Sequence, residues 1–142
     1  MGKKKYKLDF KPEYDFSLIG IASHQNDYRL SWALNNDLEI KLVRTKDIEI
    51  HNKKKNIKQL FSLYSFFHED ALLNYELVNN YSETGYLIPE LQNIDFFLKI
   101  TGEISIDQLN QLIQRLKKTE IVISVFKIDP DSLKHPEKFI FE

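Results

Sequence analysis

Residues 86–101 read YLIPELQNIDFFLKIT, and the fold turns on how this run divides. From Asp95 onward the side chains alternate. Phe96, Leu98 and Ile100 fall on one face and Phe97, Lys99 and Thr101 on the other, the two-residue period of a β-strand. Pro89 has no backbone N–H to offer a ladder, so it marks a strand end or an edge. Glu90 and Asp95 bracket a polar bend, Leu91-Gln92-Asn93. The run therefore predicts an apolar segment, a proline stop, a bend and a strand with two faces to cover.

Working toward the N-terminus, Asn79 to Gly85 reads as a turn, and before it lies an aromatic-rich region. Ile57, Leu60, Phe61 and Tyr64 have helical spacing, but Phe61, Tyr64, Phe66 and Phe67 favour strands. We read a β-hairpin, Leu60–Phe67 with Leu72–Val78, turned at His68-Glu69-Asp70; a helix over part of 57–78 is the alternative. His51 to Asn56 is a charged loop. Glu39 to Arg44 and Asp47 to Ile50 read as strand segments. A helix is expected to start at Asn26 or Asp27, either able to cap free N–H groups, with Leu30, Ala33, Leu34 and Leu38 as its apolar stripe and Asn35-Asn36-Asp37 as its end. Phe16 to Ala22 is a nearly continuous apolar strand, and Gly20 within it marks a bulge or a close backbone approach. Tyr6, Leu8 and Phe10 alternate as a first strand, and Lys11-Pro12-Glu13-Tyr14 turns the chain.

Toward the C-terminus, Ser105 with Gln108 forms a capping box before a helix with the stripe Ile106, Leu109, Leu112, Ile113 and Leu116. Asp107 in its first turn and Lys117-Lys118 in its last complement the helix dipole. Glu120 to Ile128 is apolar on both parities and reads as an interior strand ended by Asp129-Pro130-Asp131. Phe139-Ile140-Phe141 is read as a short final strand.

Ile88-Pro89-Glu90, three residues, then Ile94-Asp95-Phe96 resembles the signature of the IPExxxVDY family, small bacterial proteins of the Bacteroidota. The flanks are similar too: the aromatic run before the motif, Leu98-Lys99-Ile100 after it, and Asp27-Tyr28-Arg29-Leu30 with Trp32 upstream. The resemblance thus covers most of the chain. It departs from the signature at Ile94, which stands for valine, and at Phe96, which stands for tyrosine. Phe96 carries no phenol, which favours packing over chemistry at that position. The likeness implies bacterial origin and a shared fold, and brings no activity with it.

Composition bounds the rest. The chain has 142 residues, 42% hydrophobic and 29% charged, with formal net charge −1 and no cysteine. That is the make-up of a globular protein of one domain, 1–142, with residues 1–5 a disordered start. Its near-zero net charge recruits neither nucleic acid nor an acidic membrane. Without cysteine there is no disulfide framework, thiolate nucleophile or Cys-based metal site. No apolar run approaches the roughly 20 residues that cross a bilayer, and no apolar stretch follows the basic start MGKKKYKLDF. The expectation is a cytoplasmic protein with an α+β fold: an antiparallel or mixed β-sheet with two helices packed on one face. Phe97 and Phe126 then lie on the parity facing away from the helices, and a second subunit is expected to cover them.

For chemistry, Glu90 and Asp95 come first. They either pair for acid–base work or a divalent cation, or accept backbone N–H bonds of the bend they enclose. His24, Asp27 and Arg29 form a polar knot at a strand-to-helix turn, where helix N-termini bind anions. The four glycines build no phosphate-cradling loop, so Asp27 is read as a cap and Arg29 as an ion-pair partner. His24, His51, His68 and His135 show no metal-binding spacing. Lys53 to Lys55 before aromatic strands could serve single-stranded nucleic acid, yet Arg29, Arg44 and Arg115 are unclustered and a solvated loop is the better reading. Asn80-Tyr81-Ser82 is a glycosylation sequon by pattern only. No cofactor is implied and no residue is assigned as catalytic. The leading expectation is a non-enzymatic protein-interaction module that self-associates. The alternative is a small-ligand- or metal-binding domain or an enzyme using Glu90 and Asp95.

Overall fold

The computed structural model describes residues 14–141. In chain order its elements are β1 (Phe16–Ala22), α1 (Asp27–Leu38), β2 (Val43–Arg44), β3 (Ile48–Asn52), β4 (Ile57–Phe61), β5 (Leu63–His68) and β6 (Leu73–Asn79). There follow β7 (Tyr81–Ser82), β8 (Gly85–Tyr86), β9 (Phe96–Thr101), α2 (Ile106–Lys117) and β10 (Ser124–Ile128). Short 3-10 turns occupy Pro89–Leu91, Pro130–Ser132 and Pro136–Phe139. Among the described residues, six strands form one antiparallel sheet in the order β10-β1-β9-β6-β5-β2, and β3–β4 and β7–β8 are separate two-stranded ladders. This is the α+β architecture expected from the sequence. The expected disordered start at 1–5, the first strand at Tyr6, Leu8 and Phe10 and the turn from Lys11 to Glu13 lie outside the described residues.

The alternation of β9 decides where the cores sit. Phe96, Leu98 and Ile100 join Ile19, Ile21 and Leu77 under Leu30, Leu34 and Leu38 of α1 and Leu109, Ile113 and Leu116 of α2. Both helices therefore pack on one face of the sheet. Phe97 points to the other face, into a second core with Phe16, Leu18, Phe61, Leu63, Val78, Leu87, Ile88, Ile94, Leu133 and Phe139. The chain covers this face itself, with the β3–β4 hairpin, the 87–94 segment and the C-terminal tail. The expectation that a second subunit covers Phe97 is thus corrected: Phe97 is fully buried against Phe139 of its own chain. Phe126 on the edge strand stays 38% exposed.

Gly20 sits between these two phenylalanines, paired with Phe97 on one side and Phe126 on the other. A Cβ there would lie 2.6 Å from Ile94 Cδ1 and 2.8 Å from Ile128 Cδ1. The register runs through it without interruption, so the glycine serves a close approach and not a bulge.

The hairpin reading of the aromatic region holds, with shifted bounds: β5 pairs with β6, while Ile57–Phe61 is a separate strand paired with β3. Helix α1 runs through Asn35-Asn36-Asp37, because the Asn35 side chain satisfies the next segment instead of ending the helix. Its Oδ1 accepts from Leu42 N at 2.7 Å and its Nδ2 donates to Leu42 O at 3.1 Å. Glu39 closes the helix at φ 56°, and Ile40 and Leu42 enter the helix-side core from a loop rather than a strand. The capping box of α2 forms as read, with Ser105 accepting from Gln108 N at 3.1 Å. Ile106, read as part of its buried stripe, is 70% exposed at the first turn.

Two C-terminal readings are corrected. Strand β10 begins at Ser124 and is the outermost strand of the sheet among the described residues, not an interior one; residues 118–122 turn instead, with Val122 N bonded to Thr119 O. The tail adds no strand at Phe139: Pro136–Phe139 is a 3-10 turn, suited to a proline at its first position.

Candidate functional site

The signature-like segment 88–96 is built around a residue that sequence reading set aside. Asn80 is fully buried, and its side chain closes the bend from the opposite side. Its Nδ2 donates to Leu91 O at 3.0 Å and Ile94 O at 2.8 Å, and its Oδ1 accepts from Ile88 N at 2.8 Å. Its backbone adds two more bonds, N to Asp95 O and O from Leu87 N. One amide side chain thus meets the polar groups of a turn that has no ladder of its own, as buried polar atoms require. The burial also removes Asn80 from reach of a glycosylating enzyme in the folded chain.

Glu90 and Asp95 do accept backbone N–H groups, but not those of the bend between them. Asp95 Oδ2 accepts from Ser23 N at 2.8 Å, joining the start of β9 to the end of β1. Ser23 Oγ donates onward to Ile121 O at 2.7 Å, so the same point secures the approach to β10. Glu90 Oε2 accepts from Lys134 N at 3.0 Å and pins the C-terminal tail. Desolvation pushes the Glu90 carboxyl up, but the amides of Lys134 and Glu90 and the charges of Lys134 and Lys138 outweigh it and hold the group below its ordinary value. The two carboxylates serve different contacts on different segments.

The polar knot is likewise resolved into separate contacts. Asn26, not Asp27, is the helix cap, accepting from Arg29 N at 2.9 Å. Asp27 Oδ2 lies 3.8 Å from Arg44 Nη1, and Arg44 binds Asp47 at 2.8 Å and lies over the Tyr64 ring. The hydrogen bond to Asp47 leads in raising the Arg44 pKa, against the lowering effect of burial. Arg29 pairs with no carboxylate among the described residues; it lines a cleft of about 340 Å³ beside Trp32, Asp37 and Glu120. His24 is exposed, and no hydrogen bond or ion pair among the described residues links His24, Asp27 or Arg29 to Glu90 or Asp95. No group of three or more His, Asp or Glu side chains among the described residues is placed to hold a metal ion.

A further cluster lies on the second face. Lys99 is in the middle of β9, with a side chain only 10% exposed, and lies 3.5 Å from Oε1 of Glu76, its register partner on β6. Its Nζ donates to Phe139 O at 2.5 Å and sits over the rings of Phe16 at 5.0 Å and Phe141 at 4.6 Å. A carboxylate, a carbonyl and two aromatic faces together satisfy a charge that burial alone would penalise. The sequence carries a signal for it: Lys99 and Glu76 are opposite charges, each the one charged residue of its strand. Asn80 and Ser23 carry no such signal, since neither breaks a pattern.

At the sheet edge, β10 pairs only with β1 among the described residues, and Ile123 and Phe126 at or beside it are 57% and 38% exposed. No helix among the described residues is long and apolar enough to cross a membrane. No family model, curated protein or solved structure matches this chain.

Proposed function

We propose that the protein is a non-enzymatic interaction module that self-associates along the outer edge of β10. The observation that carries this reading is that edge, where no strand among the described residues pairs with β10 beyond β1 and where Ile123 and Phe126 are exposed. Two copies related by a twofold axis present the same strand to each other, so β10 pairs antiparallel with its counterpart and both sheets extend into one. Lys127 is the one charge on the strand and limits open-ended stacking. Membership of the IPExxxVDY family and a cytoplasmic setting belong to the same proposal. The first is supported by the residues at 88–96, the second by a cysteine-free chain that draws nothing from an oxidising compartment.

Light scattering after size exclusion tests it. The dimer fraction is expected to rise with protein concentration and to vanish in Phe126→Lys, whose charge opposes pairing at the strand centre. A parent chain that stays monomeric at the highest attainable concentration removes the proposal.

A further inference from the structure

The tail after β10 is held on the second face without strand pairing. It makes no ladder with the sheet; residues 130–139 form two 3-10 turns. Its attachment is by inserted side chains and by three cross-links to groups on the body. Phe139 is fully buried, with its ring 5.0 Å from that of Phe97 and 6.2 Å from that of Phe16. Lys99 Nζ holds the Phe139 carbonyl, Glu90 holds the Lys134 amide at 3.0 Å, and Lys138 Nζ reaches Leu87 O at 2.9 Å. This is how a groove holds a peptide: an aromatic anchor in a pocket, and polar groups that read the main chain and set its direction.

We propose that the groove around Lys99 is a recognition site for a segment carrying Phe-Ile-Phe, filled in the free chain by its own residues 129–141 and open to the same segment of a second copy. The occupant is defined by the seating of Phe139, its ring against Phe97 and Phe16 and its carbonyl on Lys99 Nζ. Lys99 contributes a main-chain contact that does not depend on which copy supplies the carbonyl. The Phe16 and Phe97 rings make the same contacts with Phe139 in either case. Asp129-Pro130 between β10 and the tail is a short turn at the exposed edge, where a change in direction alters no ladder bond. In the free chain the tethered tail acts as a competitor at an effective concentration of order millimolar, so the groove is closed to weak rivals. The proposal stands apart from β10 pairing, since it uses a different face.

The test uses the full chain and a fluorescein-labelled peptide of residues 129–141. The chain with Phe139→Ala has a weakened competitor and an intact groove. It is expected to bind the peptide at least tenfold more tightly than the parent chain does. Adding Lys99→Met to that chain is expected to reverse the gain, and a peptide with Phe139→Ala is expected not to compete. A folded Phe139→Ala chain that binds no peptide, or binds both peptides alike, overturns the proposal. Should Phe139→Ala fail to fold, a full chain with a protease site between Asp131 and Ser132 is folded first and cut afterwards. Exchange of the cut tail for labelled peptide supports the proposal; a cut tail that resists excess peptide, or a body that unfolds on cutting, overturns it. Phe126→Lys separates the two surfaces, because peptide binding is expected to survive in it whether or not β10 pairs.

Discussion

Asn80 shows how much of a recognisable motif can rest on a residue outside it. The segment 88–94 has a proline, a 3-10 turn and no ladder, so its carbonyls and amides need partners from elsewhere. Asn has two donors and an acceptor on one planar group, and at this position all are used within 3.0 Å. Asn80→Ala leaves Ile88 N and Ile94 O buried without partners, while Leu91 O keeps its bond from Ile94 N, and is expected to cost about 3 kcal/mol. Urea unfolding measures it, and a loss under about 1 kcal/mol means that water or relaxation replaces the amide. Phe96 illustrates the opposite case. It is buried among the helix-side residues, in agreement with a packing role inferred from its missing hydroxyl.

The elements differ in how far local chemistry specifies them. Helix α2 carries its own start signal, and both reciprocal bonds of its capping box are formed. Ser105→Ala is expected to cost about 1 kcal/mol, seen as a lower denaturation midpoint with an unchanged slope. Strand β9 was equally legible, because alternation in FFLKIT matches two buried faces. Strand β10 was not: its apolar residues on both parities mimic an interior strand, yet only β1 lies beside it among the described residues. The same ambiguity affects 39–44: Val43–Arg44 is a strand as read, but Ile40 and Leu42 are buried by a loop that Asn35 holds in place. Apolar character reports burial, and burial does not require a ladder.

For the molecule as a whole, the tail is the piece that completes the second core, and Glu90 couples its seating to pH. The Glu90 carboxyl in the folded chain titrates below its ordinary value of 4.5. Its contribution is therefore fully present above that value and is lost as pH falls through the lower, folded value. Thermal melting between about pH 6 and about pH 3 is expected to fall more steeply in the parent than in Glu90→Gln, the two curves converging at the acid end. Superimposable curves across that range would mean that the Lys134 amide gains nothing from the charge. The sequence by itself determined the α+β class, the two faces of β9, both helices and the strand character of the aromatic region, because each is set by local periodicity or by capping chemistry. Tertiary structure alone decided what covers Phe97, that Glu90 and Asp95 hold Lys134 and Ser23, and that Asn80 and Lys99 are central. Those contacts join residues 8 to 72 positions apart, and no local pattern encodes which group will meet a given donor or charge.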